Sequence, residues 1–536
     1  MSGFPSKFPG TCKLCGNRFG VGTMLTRSTY GFICCSVPSV GTPSAAAPPT
    51  PAKALSPTQE QTKALELFRT GEHLAIQAGA GAGKTSTLMM LAGVASDLFR
   101  SGTYLAFNKA IVDDIKDRLP SSVTARTVHS LAHRAMTPEQ RARFDPSAAT
   151  FKAAARPMMD LSRFAVNSQI FSEIYQTSHI LLALANFCRS ADGEPAAHHF
   201  PYVEGIDPPD AGKRTWQNNN AMRLELLPQL EKLWADINSP KGKLPINFDT
   251  SLKLAALRCI TIPGDFVLYD ECQDANGVML DLMRSQVNSQ LVFVGDPNQA
   301  IYEWNGAVDA FGRLPASCNK TQLTLSFRFG EEIADVANGI LAYLDRFIVE
   351  PNPDRLSVVG PQPAPNAVLC RTNAGGVQEW FELTDAGEKA YFDTGSSDIL
   401  AFCRAAILVQ DGKRTDHPEL APFLCWDDVV DYAEADKHAV DLNAKVKLVN
   451  RFGAKSIAYR LSNQPPAAGA TVTITTAHKA KGREWDSIRL SSDFAFDADE
   501  AAELRLLYVA VTRARMGLDV TAVPEVDPYR FEMTAA

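Results

Sequence analysis

The stretch LAIQAGAGAGKTSTLMMLAG, residues 74–93, restricts this chain more than any other segment. An apolar β-type run enters a loop of alternating Gly and Ala and leaves it in a helical pattern, which is the setting of a phosphate-binding loop. Gly79, Gly81 and Gly83 let the backbone turn its N–H groups toward phosphate oxygens, and the following helix adds its positive N-terminal end. Lys84 is placed to reach the β- and γ-phosphates, and Thr85 to ligate Mg²⁺. The strict pattern GxxxxGK[ST] opens with Gly, whereas this chain has Ala78 there. The expected ATP-binding segment is therefore Ala78, Gly79, Ala80, Gly81, Ala82, Gly83, Lys84, Thr85 and Ser86.

A P-loop needs an acid at the end of a neighbouring strand, and FVLYDECQDA (266–275) supplies one. Asp270 closes the apolar run and can hold Mg²⁺ directly or through water. Glu271 can orient and deprotonate the attacking water. ATP hydrolysis is the base reading. Upstream, LSPTQEQ (55–61) reads as a capping box, with Ser56 as N-cap, Pro57 at the first helical position and Gln59 three residues past the cap. Gln59 can equally read an adenine edge with its amide.

Further short apolar runs recur between helical patterns: TYLAF (103–107), LVFVGD (291–296), AVLCR (367–371) and TVTIT (471–475). That rhythm predicts an α/β fold with parallel sheets of βαβ units. At 536 residues the chain should split into several units. Residues 1–35 carry the clustered Cys, and 36–55 form a Pro- and Ala-rich linker. A first α/β domain is expected over 56–130 plus 256–325, interrupted by a helical insertion at 131–255. A second covers 326–376 plus 466–536, interrupted at 377–465. No apolar run reaches the roughly 18 residues of a membrane span, and the N-terminus lacks an apolar leader, so an intracellular protein is expected. The net charge of -7 gives no global reason to bind nucleic acid, so any such contact must come from a local groove.

Several spaced segments match one family in order: LSPTQ, AGAGAGKT, AFNKA, TVHS (127–130), DECQD, GDPNQAIYEWNGA (295–307), LSFRFG (325–330), TTAHKAKGREWD (475–486) and LLYVAVTRAR (506–515). They resemble the superfamily 1 DNA helicases of the UvrD, Rep and PcrA branch, with the AFNKA to TVHS region most like the F-box DNA helicases. The resemblance implies two RecA-like P-loop domains with ATP in the cleft between them. It places Gln59 and Phe327 on adenine, Gln299 at the γ-phosphate, and Arg328 and Arg513 as fingers from the second domain. Guanidinium groups supplied across a cleft are worth roughly a thousandfold or more in phosphoryl transfer. Glu484 resembles the family residue that links ribose or phosphate to the DNA side.

For the polymer, the resemblance implies single-stranded DNA, or a duplex with a single-stranded tail, lying across both domains. Trp304 would stack on a base with Tyr302 nearby, and Phe107, Asn108, Thr127, His129 and His478 would line the track. Stacking of roughly 1–3 kcal/mol per base tolerates either sugar, so RNA also fits these residues. Trp485 reads as core. The implied activity is a 3′ to 5′ helicase serving repair, recombination or replication, in the cytoplasm or nucleoid, or in the nucleus of a eukaryote. Departures qualify this. Phe107 sits one place later than in the commonest bacterial pattern, and the interval between VLCRTNA and TVTITTAHK is short, so the accessory subdomain should be reduced. A remodelling ATPase that displaces proteins from DNA with little unwinding is the alternative. A helicase-nuclease is disfavoured because the sequence ends soon after TRAR.

Eleven Cys, mostly isolated in apolar segments, argue for reduced thiols. Cys12, Cys15, Cys34 and Cys35 are the exception. TCKLCGNRFG resembles a zinc knuckle, and GFICCS supplies two further thiols for a tetrahedral Zn²⁺ site, although adjacent ligands are strained. Such a module would engage DNA or a protein partner. His198 and His199, in GEPAAHHFP, read as loop residues.

Overall fold

The computed structural model describes residues 56–526 other than 107, 167–168, 204–205, 208–216, 303–305, 315–316, 394–395, 416, 418, 421–422, 424, 436–439 and 495–496, together with short strands within residues 1–33. The chain divides into two units, Met1–Thr58 and Gln59–Ala536. In the first unit, Met24–Ser28 pairs antiparallel with Phe4–Pro5 and with Gly31–Ile33, and Gly10–Thr11 pairs with Arg18–Phe19. Cys12, Cys15, Cys34 and Cys35 lie outside the described residues.

The second unit is built on two parallel sheets of six strands each. The first contains β1 (Leu74–Ala78), β2 (Gly102–Ala106), β3 (Val123–Thr127), β4 (Phe266–Tyr269), β5 (Gln290–Gly295) and β6 (Asn319–Leu323), in the order β6-β1-β5-β4-β2-β3. The second contains β7 (Val358–Val359), β8 (Ala367–Cys370), β9 (Ala390–Phe392), β10 (Val472–Thr476), β11 (Trp485–Leu490) and β12 (Ala514–Asp519), in the order β7-β12-β11-β8-β10-β9. Every pairing within both sheets is parallel.

Strand alternation sorts the side chains of the first sheet onto two covered faces. Ile76, Leu268, Val292 and Val294 pack with Leu65, Phe68, Leu88 and Leu91 of helices Gln59–Arg69 and Lys84–Asp97. Val267, Tyr269, Leu291 and Phe293 point the other way, onto helices Val128–Arg134, Phe248–Leu257 and Gly277–Arg284. Double coverage is why FVLY and LVFV are continuous apolar runs.

In the second sheet, Leu369, Ile488, Leu490 and Leu518 meet helices Glu331–Leu341 and Ala501–Val511. Val368, Cys370, Val472 and Ile474 meet the helices between Asn373 and Ser462. Ala80 and Ile301, from loops of the first sheet, are buried in the core of the second. The two lobes are thus joined along a packed seam.

Three details differ from the sequence reading. Helix Gln59–Arg69 starts two residues after Pro57, the first helical position of the expected capping box. The interval 377–465 contains β9, which pairs with β10 at the sheet edge, so the accessory segment begins only after Phe392. Residues 131–255, read from the sequence as a helical insertion, contain helices Glu173–Arg189 and Gln217–Asn238 and also an antiparallel pair, Phe164–Val166 with Gln169–Phe171.

Candidate nucleotide and nucleic-acid site

Parallel α/β sheets bind ligands beyond the C-terminal ends of their strands, and the candidate residues of the first sheet gather at that edge. The loop after β1 reaches helix Lys84–Asp97 through Gly81 at φ 75° and Gly83 at φ 76°, both left-handed. A Cβ on Gly81 would lie 2.6 Å from Ser326 Oγ and 2.8 Å from Arg328 Cβ, so the loop sits flush against the chain after β6. Phe327 donates its backbone N–H to Gly81 O at 2.9 Å, and its ring edge lies 3.2 Å from where a Cβ on Gly83 would be.

A cleft of about 660 Å³ opens between the two lobes, lined by residues 81–86, Asp270, Glu271, Gln299, Phe327, Arg328, Glu484 and Arg513, among others. That volume suits a nucleotide-sized ligand. Lys84 Nζ lies 3.3 Å from Glu271 Oε2. Burial works against the Lys84 charge, but Glu271, Asp296 and Asp270 outweigh it and hold its pKa above the usual lysine value. Glu271 adopts φ 52°, a left-handed conformation uncommon for a residue with a side chain. Its carboxylate accepts from Gln273 Nε2 at 2.6 Å. Burial opposes its ionisation, yet Lys84 and Lys481 keep it below the ordinary glutamate range. Asp270 is shifted the opposite way, upward, by burial and then by the Glu271 charge. Tyr104 donates its hydroxyl to Asp270 Oδ2 at 2.5 Å. A threonine hydroxyl and a carboxylate are hard oxygen donors that match Mg²⁺, and Thr85 and Asp270 both line the cleft.

From the second lobe, Arg513 is 2% exposed and places Nη2 3.3 Å from Gln299 Oε1. Burial and the nearby Arg328 lower its pKa to about 9, leaving it charged at neutral pH. Gln299 donates Nε2 to Asp296 Oδ2 at 2.6 Å. Arg328 donates to Glu484 Oε2 and to Thr512 O, each at 2.8 Å. The cleft therefore collects Lys84, Arg328 and Arg513 against Asp270 and Glu271, an arrangement able to bind a polyphosphate and activate water. Gln59 is exposed on the first turn of its helix and does not line the cleft. Gln61 lies closer, its Nε2 3.1 Å from Thr87 Oγ1.

Three contributors escaped the sequence reading. Tyr104 is one. Tyr508 is another, accepting the Ala80 N–H at 3.1 Å and donating to Asp296 Oδ2 at 3.2 Å. Lys481 is the third, with Nζ 2.6 and 2.7 Å from the two Asp274 carboxylate oxygens and 2.6 Å from Gln299 O. Burial outweighs Lys481 and lifts Asp274 to about 6. Tyr508 and Lys481 stand inside quoted motifs, which was the only signal for them; Tyr104 had none.

The candidate polymer residues fall into separate places. Tyr302 and His478 come together: Tyr302 donates its hydroxyl to His478 O at 3.1 Å, and the rings lie 6.3 Å apart. Both line a second opening of about 880 Å³ with Arg371, Asn373, Lys445 and Lys479. Lys481 Nζ sits 5.0 Å over the Tyr302 ring, and Tyr302 also lines the nucleotide cleft. Asn108 lines the nucleotide cleft and caps helix Lys109–Ile115 by accepting from Ile111 N at 3.0 Å. Thr127 caps helix Val128–Arg134, and His129 lies 4.0 Å from Asp249 with its pKa lowered by burial; neither lines either opening. Phe107 and Trp304 lie outside the described residues. Trp485 is half-buried against the second core under Arg483.

Comparison with known proteins adds relatives to this geometry. Residues 61–305 match the AAA domain family, and residues 471–521 match the UvrD-like helicase C-terminal domain. F-box DNA helicase protein 1 of Schizosaccharomyces pombe is 27% identical over 517 residues, covering 86% of this chain and 57% of the relative. F-box DNA helicase 1 of Gallus gallus is 28% identical over 509 residues, covering 85% and 48%. A probable DNA helicase II homolog of Mycoplasma pneumoniae is 34% identical over 97 residues, covering 17% and 13%. This chain spans about half the length of the two F-box relatives.

Proposed function

Because the chain belongs to the UvrD-like superfamily 1 helicases, we propose that it hydrolyses ATP to move 3′ to 5′ along single-stranded DNA and opens duplexes that carry a single-stranded tail. The observation that carries this reading is the cleft between the two sheets, where Lys84, Asp270 and Glu271 of one lobe face Arg328 and Arg513. In this reading Thr85 and Asp270 would hold Mg²⁺, which when bound would supply positive charge against the phosphates. Lys84 and the backbone of Gly79–Gly83 bind the phosphates, Phe327 packs on the base, and Glu271 takes the proton of the attacking water. Arg328 and Arg513 stabilise the charge that develops on the transferred group, so hydrolysis requires a closed cleft.

Tyr302 is the joint between chemistry and movement, because it borders both openings. DNA would run through the second opening, past Tyr302 and His478, with Trp304 of the same loop stacking on a base. The polarity rests on the likeness of GDPNQAIYEWNGA to the 3′ to 5′ branch. Zinc at the N-terminal cysteines rests on their spacing alone, as does a protein partner for that module. Metal content of the purified chain tests the former.

A second reading, a DNA-stimulated ATPase that displaces bound proteins with little unwinding, has one observation in its favour. The accessory helices after Phe392 share a single core with the second sheet instead of forming a separate body. Measuring ATPase with and without single-stranded DNA or RNA, and strand displacement from either tail, separates the readings. The leading one expects DNA-stimulated ATPase and unwinding from a 3′ tail; unwinding only from a 5′ tail refutes the polarity.

A further inference from the structure

Residues 190–199 turn the chain away from helix Glu173–Arg189 within the helical insertion, outside both openings. In this turn, ligand atoms of Asp192, His198 and His199 lie within 4.8 Å of one another. His198 Nε2 is 2.7 Å and His199 Nε2 3.0 Å from the same oxygen, Asp192 Oδ2. The two imidazole rings stand 4.1 Å apart. We propose that Asp192, His198 and His199 bind a divalent transition cation of the Zn²⁺ class.

The donor chemistry selects the ion. Two imidazole nitrogens and one carboxylate suit Zn²⁺, whereas Mg²⁺ and Ca²⁺ take oxygen sets. Tetrahedral Zn²⁺ with bonds of roughly 2.0–2.1 Å puts its ligand atoms about 3.3 Å apart. The two Asp192–His separations of 2.7 and 3.0 Å lie within about 0.3–0.6 Å of that spacing, and all three ligand atoms lie within 4.8 Å of one another. Ser190 Oγ, 3.2 Å from His199 Nε2, or a water can take the fourth position.

The surroundings hold the ligands in place. Metal-bound imidazoles present one nitrogen to the ion and anchor the other on a hydrogen-bond partner. His199 is buried, and its Nδ1 lies 3.1 Å from Ala196 O, so the tautomer with hydrogen on Nδ1 donates there and leaves the Nε2 lone pair for a cation. The Ala196 N–H, 2.9 Å from Nδ1, serves the other tautomer. Lys253, 1% exposed, donates to Ser190 O at 2.9 Å and to Asp192 O at 2.5 Å, pinning the backbone under the site. His198 is exposed, giving an ion a route in.

The site has a structural consequence. A Cβ on Gly277 would lie 2.9 Å from Ala191 N, so this turn rests on the start of helix Gly277–Arg284, immediately after the DECQDA segment. A cation would stiffen the support beneath that acidic loop.

Zn²⁺ binding to the full chain, by chelator competition and metal analysis, tests the proposal against His198→Ala and Asp192→Asn. The exposed His198 side chain can be removed without touching the core. Replacing partners of metal ligands commonly costs 10–100-fold in affinity, so loss of a direct ligand is expected to weaken one equivalent by at least about a hundredfold. The parent-minus-His198→Ala difference spectrum with Co²⁺ should show ligand-field bands without thiolate charge transfer, which separates this site from the N-terminal cysteines. Equal stoichiometry and affinity in the parent and both variants, or a difference spectrum with thiolate bands, would overturn the assignment.

Discussion

Tyr508 joins three pieces of the nucleotide cleft through one hydroxyl. It sits in the second lobe, accepts from Ala80 of the phosphate loop and donates to Asp296 beside Gln299. Tyr508→Phe leaves a buried N–H unsatisfied, and is expected to cost about 1–3 kcal/mol in denaturant unfolding and to raise the KM for ATP. On the proposed mechanism, Glu271→Gln keeps the shape of the cleft, so nucleotide binding should persist while turnover falls at least about a hundredfold. Fluorescent-nucleotide titration beside a phosphate-release assay reads the two effects separately. The placement of Lys84, Asp270 and Glu271 at strand ends bordering the cleft was legible because strand, loop and helix follow one another locally. Tyr508 was not, because its partner Ala80 lies 428 positions away and no local pattern records such a contact.

At the scale of elements, the loop after β10 reaches into the other lobe through Lys481, whose ammonium is almost wholly enclosed with Asp274. Removing one partner of a buried pair strands the other charge, commonly at about 3–5 kcal/mol. Asp274→Asn should therefore loosen the seam, and DNA-stimulated ATPase should fall more than the basal rate. The helical insertion carries its own sensitivity. His179 is 5% exposed, and its Nε2 has no hydrogen-bond partner among the described residues. Burial, then Arg223, lower its pKa to about 4. Above the unfolded value of about 6.5 both states are neutral and the insertion has full stability. As the pH falls from there toward the folded value, only the unfolded state gains a proton, so stability drops by up to about 3 kcal/mol. Denaturation midpoints across that window should show the loss, and His179→Phe should flatten it. The same scale shows what sequence pattern misses. The central strands β4 and β5 are buried on both faces and read as apolar runs. The edge strands β3 (VTART) and β6 (NKTQL) keep exposed positions, and only their parallel neighbours define them.

At the scale of the whole molecule, two sheets share one ligand cleft and one seam. A nucleotide held at a hundred times its Kd stabilises the state that binds it by about 2.7 kcal/mol. Because Arg328 and Arg513 face the first sheet's loops across that cleft, the gain should extend to both lobes, raising one cooperative thermal transition. Arg328→Ala should confine it to the first lobe and split the transition, which calorimetry with a non-hydrolysable ATP analogue would detect. The two-sheet plan was legible from alternating strands and helices. The burial of Ala80 and Ile301 in the opposite core was not, since small apolar residues in loops carry no such signal.

The 3.3 Å contact between Lys84 and Glu271 ties the two proposed roles to one another. The side chain proposed as the base is occupied by the ammonium proposed to grip phosphate. On the proposed mechanism ATP competes with Glu271 for the Lys84 ammonium, so gripping the phosphates and releasing the base would be one movement, and the substrate would arm its own attack.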